Sequence, residues 1–192
     1  MHPVKPLGVS QGNELRLPET ASLDEILDRI YERHVSQVHR WASRLAGPGE
    51  DAEDVVHEVF LIAMRRYGEF RGDSKVSTWL FRITARVIKS RRIRERVRRA
   101  IFSRHVEDLV GERLAVVTPL EEVERRERTA HLYRALDRLP DRYRTPLILY
   151  EIEELPCPDV ADLLGMTVGA VWVRLHRGRA RLLRELAREE LP

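Results

Sequence analysis

The chain has 192 residues, with 34 Lys or Arg against 31 Asp or Glu and a single cysteine, Cys157. One cysteine excludes an intrachain disulfide and a thiolate metal cage. No apolar run reaches transmembrane length, and the first twenty residues lack the apolar stretch of a secretory signal, so a cytoplasmic protein of one or two domains with no membrane insertion is expected.

Met1 to Thr20 is rich in Pro, Gly and polar residues without a period, and residues 1–21 read as a flexible tail. Ser22 and Glu25 form a capping-box pair ahead of Leu23, Ile26, Leu27, Ile30, Val35, Val38, Trp41, Ala42 and Leu45, which follow helical spacing up to Gly47. A second helix is expected from near Glu50 to Gly68, carrying Val55, Val56, Val59, Phe60, Ile62 and Ala63. Its acids, Glu50, Asp51, Glu53, Asp54 and Glu58, gather in the first turns, where the helix dipole favours negative charge. That dipole accounts for part of the cluster.

Gly, Asp and Ser in the segment Phe70 to Ser77 predict a loop, and a third helix is expected from about Thr78 to beyond Arg96. Between Arg82 and Arg99 lie nine Lys or Arg and one acid, Glu95. At about 100° per residue, Leu80, Ile83, Val87 and Ile88 fall on one side of this helix. Arg82, Arg86, Lys89, Arg92, Arg96 and Arg99 fall opposite, within roughly 140° of arc. The spacing predicts one packing face and one cationic ridge, the latter suited to a polyanion.

Residues 101–117 have a weak pattern and read as a linker. Thr118, Pro119 and Glu121 restart a helix that runs to about Leu139. Pro140 and Asp141 open another, Arg142 to about Glu151, in which Pro146 should kink or delay the helix. Ala161, Gly165 and Val171 then have the spacing of a helix-turn-helix: a small residue where two helices cross, a glycine for the turn, and an apolar residue that packs the second helix on the first. Five arginines and no acid follow between Arg174 and Arg184, where a major groove would lie. Arg174, Arg177, Arg181, Arg184 and Arg188 share one stripe. An all-α fold results, with two small helical domains (residues 22–100 and 118–192) joined by the linker.

The segments Ala52 to Leu61, Phe70-Arg71-Gly72 and Ser77 to Ile83 resemble region 2 of the sigma-70 family, and most closely its small extracytoplasmic-function (ECF) branch. Leu139 to Arg144, Asp159 to Gly165, Gly169 to Val171 and Arg174 to Arg179 resemble region 4. Together they cover about residues 23–188 in the family's order. The resemblance implies a dissociable, non-enzymatic subunit of RNA polymerase that selects promoters. It also implies that Asp54, His57, Glu58 and Leu61 dock on the clamp of the largest polymerase subunit, with Asp54 and Glu58 foremost. Arg71, Gly72, Asp73, Ser74, Lys75, Trp79, Arg82, Arg86, Lys89 and Arg92 would hold the opened −10 element of promoter DNA. Thr167, Val168, Trp172, Arg174, His176, Arg177, Arg179 and Arg181 would read the −35 element. A dedicated anti-sigma factor is the family's usual inhibitor. The assigned chemistry is coherent: capturing unstacked bases needs a pocket beside a phosphate-neutralising groove, and reading an intact duplex needs donors facing base edges.

Several positions depart from the family's pattern. Arg86 stands where Asn is frequent and His57 where Gln is, and Arg86 is expected to alter −10 preference. Ala170, Trp172 and Val173 replace Thr, a basic residue and Ser on the recognition helix, with apolar contact to a thymine methyl as a substitute for polar readout. Pro156 and Pro158 flank Cys157 where Ser and Glu are usual. Trp41, Phe60 and Phe81 read as core, Trp79 as core or site, and Cys157 as a small buried filler. The seven histidines show no ligand spacing, so neither metal nor cofactor is expected. The competing class is a stand-alone helix-turn-helix regulator, disfavoured because the N-terminal half carries a cationic helix and an acidic docking helix rather than a ligand pocket. A nuclease is disfavoured for want of a clustered Asp/Glu/His set.

Overall fold

A computed structural model describes residues 22–48, 50–102 and 120–189. The expected restart at Thr118 and Pro119 and most of the linker lie outside them. Among the described residues there are seven α-helices and no strand: α1 (Leu23–Ala46), α2 (Ala52–Arg66), α3 (Val76–Phe102), α4 (Leu120–Arg138), α5 (Asp141–Leu147), α6 (Cys157–Leu164) and α7 (Val168–Glu189).

The helix ends follow from local chemistry. At the start of α1 the Ser22 hydroxyl accepts the Glu25 amide, and the Glu25 carboxylate accepts the Ser22 amide. Asp51 caps α2 by accepting the amides of Glu53 and Asp54. Two boundaries differ from the sequence reading. Helix α3 begins at Val76 rather than Thr78, because Val76 is buried and the Trp79 amide reaches back to the Lys75 carbonyl. Its other end runs through Ile101 to Phe102, two residues into the expected linker. Pro146 acts as expected: α5 stops at Leu147 and yields to a π-helical stretch, Ile148–Ile152, rather than continuing to Glu151 as α-helix.

Helices α1, α2 and α3 form the first bundle. Ile30, Val38, Trp41, Val55, Val59, Leu80 and Phe81 are nearly inaccessible at its centre. Trp41 and Phe81 meet edge to face at 5.2 Å, an arrangement that adds about 0.5–1.5 kcal/mol to area burial. In the second bundle Leu136, Leu147, Ile148, Val160, Val171 and Leu175 form the core, and Cys157 is buried as a filler. A methyl group on Gly178 would stand 3.1 Å from Leu147, so this glycine sets the close crossing of α5 and α7.

The two bundles are not merely tethered. Gly47, at φ +87°, lets the Tyr133 ring of α4 sit on the end of α1; a Cβ there would fall within 3 Å of ring carbons. The Tyr133 hydroxyl donates to the Arg44 carbonyl at 2.8 Å, and burial raises that phenol above its ordinary pKa. Arg40 and Arg44 both pair with the buried carboxylate of Glu153.

Candidate nucleic-acid and polymerase interfaces

The acidic start of α2 presents Asp54, His57 and Leu61 outward on one face, Leu61 being 39 % exposed. Glu58 is different. Its carboxylate accepts from Arg91 at 2.8 and 2.9 Å, and Arg91 also reaches Glu50 and the Asp54 carbonyl. Burial alone would lower the Arg91 pKa, but the carboxylates of Glu50 and Glu58 hold it above its ordinary value. Part of the cluster therefore fastens α2 to α3. Sequence periodicity put Arg91 neither on the core nor on the ridge, and its role is set by tertiary contact.

The loop 71–75 turns at Gly72, whose φ of +75° suits glycine. Arg71, Asp73 and Lys75 are exposed, and Gly72 and Ser74 half-buried. Beside the loop stands an aromatic row that the sequence reading saw only in part. Trp79 is half-buried and stacks on Phe70 at 4.9 Å, and Phe70 lies 6.5 Å from Tyr67. The cationic face of α3 follows directly, with Arg82, Arg86 and Lys89 exposed.

The ridge is not free along its length, however. Arg92 is mostly covered and pairs with Asp141 at 2.6 Å and Asp137 at 3.2 Å. Lys89 lies 3.8 Å from Asp141, Lys75 lies 4.0 Å from Asp162, and Arg96 donates to the Asp137 carbonyl. These carboxylates come from α4, α5 and α6, which the periodicity of α3 alone could not place opposite it. Asp137 also pairs with Arg144, a fully buried guanidinium whose pKa burial lowers to about 10, with the Arg92 charge acting the same way.

The helix-turn-helix has the expected geometry. Ala161 and Val171 are buried at the helix crossing. Gly165 adopts the left-handed conformation at φ +62°; its amide donates to Asp162 and that of Met166 to Ala161, a Schellman closure. Thr167 caps α7 by accepting the Ala170 amide. With Val171, Leu175 and Gly178 turned inward, Val168, Gly169, Trp172, Val173, His176 and Arg177 are exposed along the outer face of α7. Trp172 and Val173 are 46 % and 49 % exposed, so this face is largely apolar near its start.

The arginines frame that face rather than cover it. Arg179 pairs with Glu151 at 2.6 Å and sits over the Tyr150 ring, which in turn contacts Trp172 edge to face. On the other flank Arg142 and Arg181 each lie 5.0 Å from the Tyr143 ring. Burial would raise the Tyr143 pKa, but the guanidinium of Arg142, with Arg181 and Arg177, draws it below its ordinary value. Arg174 is half-buried. Among the described residues, no group of three or more His, Cys, Asp or Glu is placed to hold a metal ion, and no helix is long and apolar enough to cross a membrane.

Residues 30–99 match the Sigma-70 region 2 family, and residues 129–182 match the Sigma-70 region 4 family. The ECF RNA polymerase sigma factor SigM of Mycobacterium tuberculosis is 35% identical over 161 residues, which span 83% of this chain and 76% of the relative. The chain belongs to the sigma-70 family as an ECF RNA polymerase sigma factor. SigW of Bacillus subtilis, another such factor, is 29% identical across 82% of this sigma factor and 87% of its own length. Two solved structures share the fold: CnrH with the cytosolic domain of CnrY, and RpoE of Bartonella quintana with the anti-sigma factor NepR. Each has a TM-score of 0.54 at 23% identity; the first covers 87% of this chain and 91% of CnrH, the second 85% of this chain and 98% of RpoE.

Proposed function

We propose a division of labour for this sigma factor. Asp54, His57, Glu58 and Leu61 on α2 dock on the clamp of the largest subunit of core polymerase. The loop 71–75 with Trp79, Arg82, Arg86, Lys89 and Arg92 holds the non-template strand of the −10 element. The α7 residues Thr167, Val168, Trp172, Arg174, His176, Arg177, Arg179 and Arg181 read the −35 duplex. Residues 22–100 and 118–192 act as the two working domains, with the linker between them and the N-terminal tail outside both. The sigma factor itself carries no chemistry, works in the cytoplasm, and is held in check by an anti-sigma factor. The complex of RpoE with the anti-sigma factor NepR supports this last point by analogy.

The observation that carries the reading is the placement of an aromatic row and glycine loop at one end of a cationic helix, in the same chain as a helix-turn-helix with an open outer face. Single unstacked bases need stacking partners beside neutralised phosphates, and an intact duplex needs a helix that fits the major groove. The test is a photocrosslinking amino acid placed in turn at Leu61, Trp79 and Trp172 in the assembled holoenzyme on a promoter. Crosslinks to the largest subunit, the −10 non-template strand and the −35 duplex respectively are expected. Any other assignment of the three would contradict the reading.

A further inference from the structure

A cavity of about 470 Å³ lies between the two bundles, walled by Leu45 of α1, by Ala85, Ile88 and Ile93 of α3, and by Thr145 of α5. Its charged lining is cationic: Arg86, Lys89, Arg92 and Arg144 stand against one carboxylate, Asp141. Sites for small organic ligands span about 300–1,000 Å³ and combine a mostly apolar lining with a few charged groups, and this cavity has both properties.

The four cations are not equally committed. Asp141 takes Arg92 at 2.6 Å and Lys89 at 3.8 Å. Arg86 has no ionic partner among the described residues. Arg144 is buried in the wall, with Asp137 3.2 Å from its Nη2, yet its Nε has no hydrogen-bond acceptor among the described residues. A buried donor without an acceptor is costly, and the nearby Arg92 charge adds to that cost. An anion in the cavity would bring counter-charge to Arg144 through a low-dielectric wall while its head met Arg86 and Lys89.

We propose that this cavity is a binding site for a small amphipathic anion, with an apolar body on Leu45, Ala85 and Ile88 and a phosphate or carboxylate head turned to Arg86 and Lys89. A bare inorganic anion lacks the body, and an apolar cation meets like charge. Because the walls come from α1, α3 and α5, the ligand touches both bundles at once. The site stands without the assignment of α3 to the −10 strand. One corollary rests on that assignment: Arg86 and Lys89 cannot serve a ligand head and strand phosphates together, so the anion displaces the strand.

Isothermal titration calorimetry on the full chain tests the site with 1-naphthyl phosphate, 1-naphthoate, 1-naphthylmethylamine and inorganic phosphate at one ionic strength. The two naphthyl anions should each bind at a single site, the tighter of them naming the head group. The amine and inorganic phosphate should bind at least about tenfold more weakly. Arg86→Gln with Lys89→Gln, both at exposed positions, should weaken the naphthyl anions about tenfold. Ala85→Met with Thr145→Met fills the space, keeps every charge and should abolish binding. If the filled variant fails to fold, the charge variant and the probe series still decide. Equal affinity for inorganic and naphthyl phosphate, undiminished binding in a folded filled variant, or no binding of either naphthyl anion would overturn the site. A fluorescein-labelled, mixed-sequence single DNA strand, followed by anisotropy, should be displaced by saturating naphthyl anion, and simultaneous binding overturns the corollary. A strand that never binds counts against the −10 assignment alone, because the calorimetry contains no DNA.

Discussion

The rings of Phe70 and Trp79 stack at 4.9 Å, with their planes tilted by 36°, immediately beside the loop that Gly72 turns. The pair offers a flat apolar wall next to the cations of α3, the surroundings a base needs when it leaves the helical stack. Trp79→Ala should weaken promoter opening by about 1–3 kcal/mol, the worth of one base–aromatic stack. Permanganate reactivity of −10 thymines reads this loss, and Trp79→Phe should restore most of it. Full opening by the alanine variant would return Trp79 to the core alone.

Asp54 and Glu58 differ in what they do at home. Arg91 holds the Glu58 carboxylate, whereas Asp54 lends Arg91 only its main-chain carbonyl. Asp54→Arg should therefore cut affinity for core polymerase strongly and stability only slightly, by about 0.3–1 kcal/mol, which a reversed charge costs in the first turn of a helix. Glu58→Arg should lower both, because it sets two guanidinium groups against each other at the α2–α3 contact. Calorimetry beside polymerase pull-down separates the two, and wild-type affinity in Asp54→Arg would remove the docking assignment.

On α7 the exposed Trp172 and Val173 predict an apolar reading of thymine. Replacing −35 thymines by uracil removes only the C5 methyl group, and it should weaken wild-type binding while leaving the Trp172→Ala, Val173→Ala double variant indifferent. Equal sensitivity in both proteins would place the contact elsewhere.

Burying Arg144 with its charge has a cost. Lowering this guanidinium from its ordinary range to about 10 disfavours its charged form by about 3 kcal/mol. Asp137 keeps Arg92 when Arg144 is gone, so Arg144→Met, which preserves volume, should leave thermal stability at pH 7 unchanged or raised. Arg144→Ala should cost about 2–4 kcal/mol through the void it leaves. The folded pKa of this base is lowered, so the cost is full below about pH 10 and fades as pH rises above it toward the ordinary arginine range. The wild type should therefore gain on the Met variant across that window. A large loss in Arg144→Met at pH 7 would show that the charge itself holds α4 to α5.

Much of this arrangement is legible in the residues. The capping box at Ser22, the glycine turn at Gly165 and the inward Val171 are local features with local causes, and the helices follow from them. Pro146 forecasts a break but not its form, because the π-helical stretch depends on how Ile148 and Leu149 pack. The ridge on α3 is visible as periodicity, yet Arg92 is not solvent-facing, since its partners Asp137 and Asp141 lie more than forty residues away. The seat of Tyr133 on Gly47 is equally invisible in sequence. Each residue looks ordinary alone, and only the docking of α4 brings them together.

Promoter selection by this sigma factor can be read in run-off transcription with bacterial core polymerase and a randomised promoter library. Adding this sigma factor should yield initiation from a shared pair of −10 and −35 sequences, absent with core enzyme alone. Initiation no more selective than that of core enzyme, in the absence of any inhibitor, would contradict it.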